Sequence, residues 1–179
     1  MSNIDLYGVK SFCENEYGDL KWMCKDYMTF PNFMSYKPAL YLFPDNEEEH
    51  NTCIEGSSHD KIRYWNKHAR TGSLVLSAGI PIGTRKNEYY TKFTPNVKKK
   101  IDDAFIEVKE IIKNYGEYKS IYYPCGNENK FDSENCPNPK IANYITSKIH
   151  QLSNKPVRII NIFDNTANVD ADAEIQFDE

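Results

Sequence analysis

The chain has 179 residues, of which 40% are hydrophobic, and its 22 basic and 26 acidic side chains leave a formal net charge of −4. One domain of this length buries roughly 70% of the surface of its unfolded chain, so folding requires neither a metal nor disulfides. The charge balance does not suggest a dedicated nucleic-acid binder, for which a strong basic patch is expected, and no apolar run approaches the roughly 18 residues of a membrane-spanning helix.

The acidic residues are concentrated at the carboxyl-terminal end. Residues 164–179 carry six carboxylates and no Lys or Arg, which leaves a charge of +2 on the rest of the chain (−4 minus −6). This segment has no packing pattern. We interpret it as an acidic tail following a globular domain over residues 38–163.

The cysteines and the basic residues indicate a cellular setting. There is no CxxC pair and no N-terminal signal region, so we expect free thiols and a cytoplasmic protein. Lys outnumbers Arg by 18 to 4, and the chain holds 18 Asn, a bias typical of AT-rich genomes. We therefore expect a viral or phage origin, with the host cytoplasm or the virion as location. The five cysteines are Cys13, Cys24, Cys53, Cys125 and Cys136.

The amino-terminal region, residues 1–37, combines a helical pattern with many aromatic residues. Apolar residues recur at three- and four-residue intervals between Glu14 and Thr29, which predicts an amphipathic helix that ends before Pro31. We expect this helix and the aromatic arm after it to pack on the core. The alternative is that the arm is a surface for a protein partner.

A short apolar run between Pro38 and Pro44 predicts a buried strand. Asp45 and Asn46 follow it directly. In open α/β folds, ligands bind at the carboxyl ends of the strands, so this pair is a candidate for ligand contact. The alternative is a simple turn, because Asp and Asn cap their own backbone.

The segment after Asn46 contains possible zinc ligands and is followed by a helical pattern. His50, Cys53 and His59 do not have the spacing of a standard zinc site, so we expect no metal. From Asp60, as N-cap, to a terminator at Gly72 the pattern is helical. A basic face of this helix is expected to be exposed, with anion binding as the alternative; it consists of Arg63, Lys67 and Arg70.

The run Leu74 to Ile80 predicts the central strand of the sheet, because it lacks the alternation of a strand with one exposed face. It leads into Gly79-Ile-Pro-Ile-Gly-Thr-Arg85, where backbone N–H groups could approach an anion and the guanidinium could hold phosphate oxygens.

The remainder alternates helices and strands. Thr94 and Pro95 predict the start of a long helix that ends near Tyr115. A strand over residues 120–123 opens into Cys125-Gly126-Asn127, where a buried thiol is favoured over a nucleophile because no base is near in sequence. A helix from Pro139 and a strand over residues 157–163 complete the pattern. Strand, helix and strand in this order predict parallel pairing.

The segments YLFPDN, GIPIGTRKN, SIYYPCGN and IANYITSKIHQL follow one another over residues 40–152. Together they resemble an uncharacterised phage and bacterial family with a macrodomain-like fold. This resemblance implies a three-layer α/β/α domain, with a mixed or parallel sheet and helices on both faces. The positions that match the family pattern are Asp45, Asn46, Gly79, Ile80, Pro81 and Gly126.

The resemblance implies binding of a nucleotide or an ADP-ribose-type phosphorylated ligand, with no catalytic residue identified and no cofactor expected. The implied ligand-binding residues are Asp45, Asn46, Gly79, Pro81, Gly83, Thr84, Arg85, Cys125, Gly126 and Asn127. Pro44 replaces a family glycine, and residues 47–56 and 127–135 lack the glycine-rich character that close backbone approach to a diphosphate requires. The alternative hypothesis is therefore a non-catalytic interaction or virion-associated protein that retains the scaffold.

Overall fold

The computed structural model describes residues 2–10, 39–68, 75–115, 117–126, 128–131, 136 and 138–161. The predicted helix over residues 14–29, the aromatic arm after it and the acidic tail lie outside the described residues.

The described chain forms an α/β fold built on one parallel sheet. Its five strands lie in the order β3-β2-β6-β1-β7, and β4 and β5 form a separate antiparallel hairpin. The strands are β1 Asp5–Lys10, β2 Ala39–Asp45, β3 Ser77–Pro81, β4 Gly83–Arg85, β5 Glu88–Tyr89, β6 Ser120–Cys125 and β7 Val157–Asn161. The helices are α1 Asp60–Arg63, α2 Pro95–Asn114 and α3 Pro139–His150.

The predicted α/β class and parallel pairing are confirmed. The strands predicted near residues 39–43, 74–80, 120–123 and 157–163 correspond to β2, β3, β6 and β7 in one sheet. β1 is an additional strand that the sequence pattern did not predict, and it lies between β6 and β7.

The prediction that the strand before Gly79 is central was wrong, because β3 lies at one edge of the sheet. All five of its residues are nevertheless buried. The segment after α1 covers this edge: the backbone N–H groups of Leu76 and Ser77 donate to the carbonyl of Trp65, and the Asn66 amide donates to the Ser77 carbonyl. Burial on both faces produced the apolar pattern, and sequence alone cannot show which neighbour covers an edge.

The two faces of the sheet are covered by different elements. α2 and α3 pack on the face that carries Leu40, Leu42, Ile80 and Ile121. On the opposite face a smaller cluster includes Tyr41, Phe43 and Leu76 of the β2–β3 side together with Ile62 of α1. Helices therefore lie on both faces, although α1 is only four residues long.

α2 follows its predicted pattern closely. Thr94 accepts a hydrogen bond from the Val97 N–H, and Pro95 occupies the first helical position, where its missing N–H has no cost. One stripe of the helix is buried against the sheet, at roughly 1.5–3 kcal/mol for each large side chain before conformational entropy is counted. The buried residues are Val97, Ile101, Ala104, Phe105, Val108 and Ile111.

The helix predicted from Asp60 to Gly72 is much shorter in the structure. α1 ends at Arg63, and its N-cap is His59, in a left-handed conformation (φ 51°) with no side-chain cap bond, rather than Asp60. Arg63, which was expected on an exposed basic face, is 1% exposed. Gly72 and Arg70 lie outside the described residues. No helix of the described part is both long and apolar enough to cross a membrane.

Candidate functional site

The sheet divides at its carboxyl edge between β2 and β6. These strands pair over only three residues each, Ala39–Tyr41 with Ser120–Tyr122, whereas β2 stays paired with β3 up to Asp45 and β6 stays paired with β1 up to Cys125. The chain leaves β2 toward one edge, to β3, and leaves β6 toward the other, to β7. The direction of the strand order therefore reverses between β2 and β6, and open α/β sheets form their ligand crevice at such a point.

Asp45, the last residue of β2, is the centre of a charged network on the β3 side of this division. Its side chain is 1% exposed. Oδ1 lies 2.6 Å from Arg63 Nη2 and accepts a 2.8 Å hydrogen bond from the Asn46 N–H, and Oδ2 lies 2.5 Å from His50 Nδ1. Burial opposes ionisation, but the bonds and charges of His50 and Arg63 outweigh it and lower the pKa of this carboxyl.

The buried Arg63 is satisfied at every nitrogen. Nε donates to the Ser58 carbonyl at 3.1 Å, Nη1 donates to the Glu49 carbonyl at 2.7 Å, and Nη2 is shared between Asp45 and the Ser58 hydroxyl. The guanidinium also lies over the Phe43 ring, 5.2 Å from its centroid. Arg63 therefore fixes the loop after β2 as well as the Asp45 charge.

His50 connects this network to α2. Nδ1 faces Asp45, and Nε2 lies 3.1 Å from Glu107 Oε1. Burial would lower the pKa of His50, but the two carboxylates raise it to about 9, so the ring is an imidazolium at neutral pH. A ring in this state is unsuited to act as a general base.

Asn46 is buried in a second set of bonds. Its Nδ2 donates to Glu49 Oε1 at 2.8 Å and to the Ser58 hydroxyl at 3.2 Å, and its Oδ1 accepts from the Glu49 N–H. The Ser58 hydroxyl also donates to Glu49. The predicted Asp45–Asn46 pair thus sits at the carboxyl edge as expected, but its side chains bind other parts of the chain.

Gly79 of β3 makes room for the Asp45 carboxylate. A Cβ at this position would lie 2.3 Å from Asp45 Oδ2 and 2.7 Å from Cγ, closer than non-bonded atoms approach. The structure therefore brings Gly79 and Asp45 together, and the requirement for glycine comes from this carboxylate. Pro81, which ends β3, is buried and lies opposite Asp45 in the strand register.

Gly83, Thr84 and Arg85 form β4 of the hairpin beyond β3. A Cβ on Gly83 would lie 2.2 Å from the Glu88 carbonyl, so hairpin closure requires this glycine. The carbonyls of Gly83 and Thr84 accept from the N–H groups of Glu47 and Glu48, which binds the hairpin to the loop after β2. The Arg85 side chain is 58% exposed and lies 3.6 Å from the equally exposed Glu88.

The residues predicted at the end of β6 lie on the other side of the division. Cys125 is buried, and the Gly126 N–H donates to the Lys130 carbonyl. Asn127 lies outside the described residues. Cys53, Cys125 and Cys136 are free thiols, and Cys13 and Cys24 are not among the residues described.

The sequence did not indicate Arg63 and His50 as partners of Asp45, or Glu107 as the second partner of His50. A buried Arg has no pattern different from that of an exposed one, and Glu107 is 57 positions from His50. The one available signal was that His50 and Arg63 follow, within 18 residues, a buried strand that ends in Asp45. Over the described ranges, no three His, Cys, Asp or Glu side chains are grouped as a metal would require.

Comparison with known proteins adds no relative. No family model, no curated protein and no solved structure matches this chain.

Proposed function

We propose that this protein is a macrodomain-like α/β/α module that binds a nucleotide or an ADP-ribose-type phosphorylated ligand between the carboxyl ends of β2 and β6. The observation that carries the proposal is the parting of these two strands where the direction of the chain reverses. The family resemblance of residues 40–152 supplies the ligand class.

The hairpin offers the cation for such a ligand. The pair of Arg85 and Glu88 is more than half exposed on both sides, and pairs of this kind contribute about 0–1 kcal/mol, so a phosphate can displace Glu88 at little cost. A planar guanidinium holds two phosphate oxygens where Lys acts as a point charge.

Asp45 and Asn46 take a supporting role in this proposal. Their side chains are held by Arg63, His50, Glu49 and Ser58, so they shape the end of β2, and a ligand would meet the backbone there.

Calorimetric titration with ADP-ribose, ADP, AMP and adenosine tests the proposal. The phosphorylated compounds should bind and adenosine should bind much more weakly. Arg85→Ala should weaken binding by roughly 1.5–3 kcal/mol, the range for a hydrogen bond to a charged group. The melting temperature without ligand should stay the same, because the side chain is exposed.

Lys86→Ala is the matched control, since Lys86 lies on the same hairpin and its Nζ contacts only the Gly56 carbonyl among the described residues. It should leave affinity within a factor of about three, the usual limit for a surface change. The absence of heat and of thermal stabilisation with every compound would reject the ligand-binding proposal.

A second candidate is a non-catalytic interaction or virion-associated protein. The observation in its favour is that the polar side chains predicted for ligand contact at β2, Asp45 and Asn46, are saturated by internal partners. This candidate predicts a folded protein that none of the four compounds stabilises. Its reason is that Gly79 and Gly83 are needed for close packing within the protein, against Asp45 and the Glu88 carbonyl.

A further inference from the structure

The segment between β2 and α1, residues 46–59, is attached to the domain mainly by polar bonds. Ile54 is 65% exposed, and Asn51 and Gly56 have positive φ values of 66° and 89°. These features indicate a segment whose position depends on specific bonds, because it buries little apolar surface of its own.

His50 makes two of these polar contacts, one to β2 and one to α2. Its ring lies between Asp45 at the end of β2 and Glu107 on α2, and its side chain is 21% exposed. We propose that protonated His50 is a clasp that holds residues 50–57 against α2, and that loss of its proton releases this stretch while the sheet stays folded. Arg63 and the hairpin keep Glu47, Glu48, Glu49 and Ser58 in place in either state. This proposal is independent of the ligand-binding function.

The geometry requires the proton. Both ring nitrogens face carboxylate oxygens, and only the imidazolium has an N–H for each. A neutral ring would turn a lone pair toward either Asp45 or Glu107, so one of the two contacts would become repulsive.

The charged groups around His50 come from every neighbouring element. Asp45 from β2 and Glu107 from α2 face it directly. Arg63 of α1 lies behind Asp45, and His68, after α1, lies 3.8 Å from Glu107. Glu49, in the same segment as His50, lies 3.7 Å from Arg63. Because the two nearest groups are carboxylates, the clasp is closed at neutral pH and opens on alkalinisation, as the pKa of about 9 also indicates.

Cys53 provides a reporter inside the segment. Its thiol is half-buried and lies 3.7 Å from the Asp60 carbonyl, so release of the segment should expose it. Alkylation by iodoacetamide, followed by peptide mass spectrometry, measures this thiol separately from the other four. The ratio of variant to wild-type rates at each pH removes the pH dependence that both proteins share. Because burial raises the pKa of the Cys53 thiol, its release favours the reactive thiolate and changes the ratio in the same direction as exposure does.

Glu107→Gln is the test variant, and Glu110→Gln, on the same helix and paired with Lys67, is the control. At pH 7, Glu107→Gln should raise the alkylation rate of Cys53 by about three- to tenfold, as expected for a lost charge-assisted bond at a partly exposed site. Glu110→Gln should match wild type. Above pH 9 the ratio for Glu107→Gln should fall toward one, because the wild-type clasp has opened.

His50→Gln is the second variant, and its segment should be released at every pH, so its rate ratio to wild type should be high at pH 7 and approach one above pH 9. A nuclear magnetic resonance titration of the His50 ring checks the proton directly. Wild-type rates in Glu107→Gln at pH 7, a rate ratio that does not change with pH, or a His50 ring that titrates near its ordinary pKa of about 6.5 would each overturn the proposal.

Discussion

Asp45 shows how one side chain determines what its neighbours can be. Its carboxylate leaves no space for a Cβ at Gly79, requires a buried cation at position 63, and raises the pKa of His50. Each of these requirements can be tested by a single substitution.

Gly79→Ala should destabilise the protein by about 1–3 kcal/mol, the usual cost of overpacking, because the new methyl group overlaps the Asp45 carboxylate. Urea unfolding measures this free energy. Gly8→Ala is the comparison: its Cβ would meet side-chain ends such as Ile159 Cδ1 at 2.9 Å, which can shift more easily. Equal stability of Gly79→Ala and wild type would contradict the packing argument.

Arg63→Met should cost about 3–5 kcal/mol, since it leaves Asp45 buried without its guanidinium partner. Lys67→Met, four residues later, removes a cation paired with the half-exposed Glu110 and should cost about 1 kcal/mol or less. Chemical unfolding of the two variants side by side measures the difference. Similar costs would show that Arg63 acts through packing alone.

At the level of elements, helices and strands could be predicted from the sequence where their buried residues form a clear apolar pattern. β2, β3, β6, α2 and α3 were predicted from apolar runs, prolines and caps. β1 was not predicted, because its two buried hydrophobic residues, Leu6 and Val9, are separated by other residues and do not form an apolar run. Its neighbours in the sheet are also distant in sequence. In the candidate site, Asp45, Asn46 and Gly79 were named from the sequence because they lie in or directly after apolar runs. Their contacts could not be predicted, because the pairing of Asp45 with His50 and Arg63, and of His50 with Glu107, depends on the tertiary fold.

The start of α2 gives a prediction for an element. Thr94→Ala removes the acceptor for the Val97 N–H and should cost about 1 kcal/mol. Thr94→Ser keeps the hydroxyl and should stay close to wild type. The midpoint of urea unfolding distinguishes them, and a Ser variant as unstable as the Ala variant would show that the methyl group, not the cap, is what matters.

For the whole molecule, His50 makes stability depend on pH. The folded pKa of about 9 lies above the ordinary 6.5, so the stabilisation is fully present below pH 6.5 and is lost as the pH rises toward 9. The difference between these two pKa values corresponds to roughly 3 kcal/mol at most.

Urea unfolding of wild type and His50→Gln between pH 6 and 10 measures this effect. The difference in unfolding free energy between the two proteins should be largest near pH 6 and shrink steadily toward pH 9. Taking the difference removes the contribution of other groups that titrate in this range. Two parallel curves would mean that His50 carries no extra proton in the folded state.

The place of β1 between β6 and β7 also has a consequence for synthesis on the ribosome. Leu6 pairs with Val157, 151 positions later, and Asp5 pairs with Ser120, 115 positions later. At about 5–20 residues per second, roughly 8 to 30 seconds pass between the synthesis of β1 and that of its later neighbour, β7. During that interval Leu6 and Val9 cannot be fully buried in the sheet, because at least one of the two strands that pair with β1 is still missing. The nascent chain should therefore be a substrate for chaperones that bind exposed apolar segments.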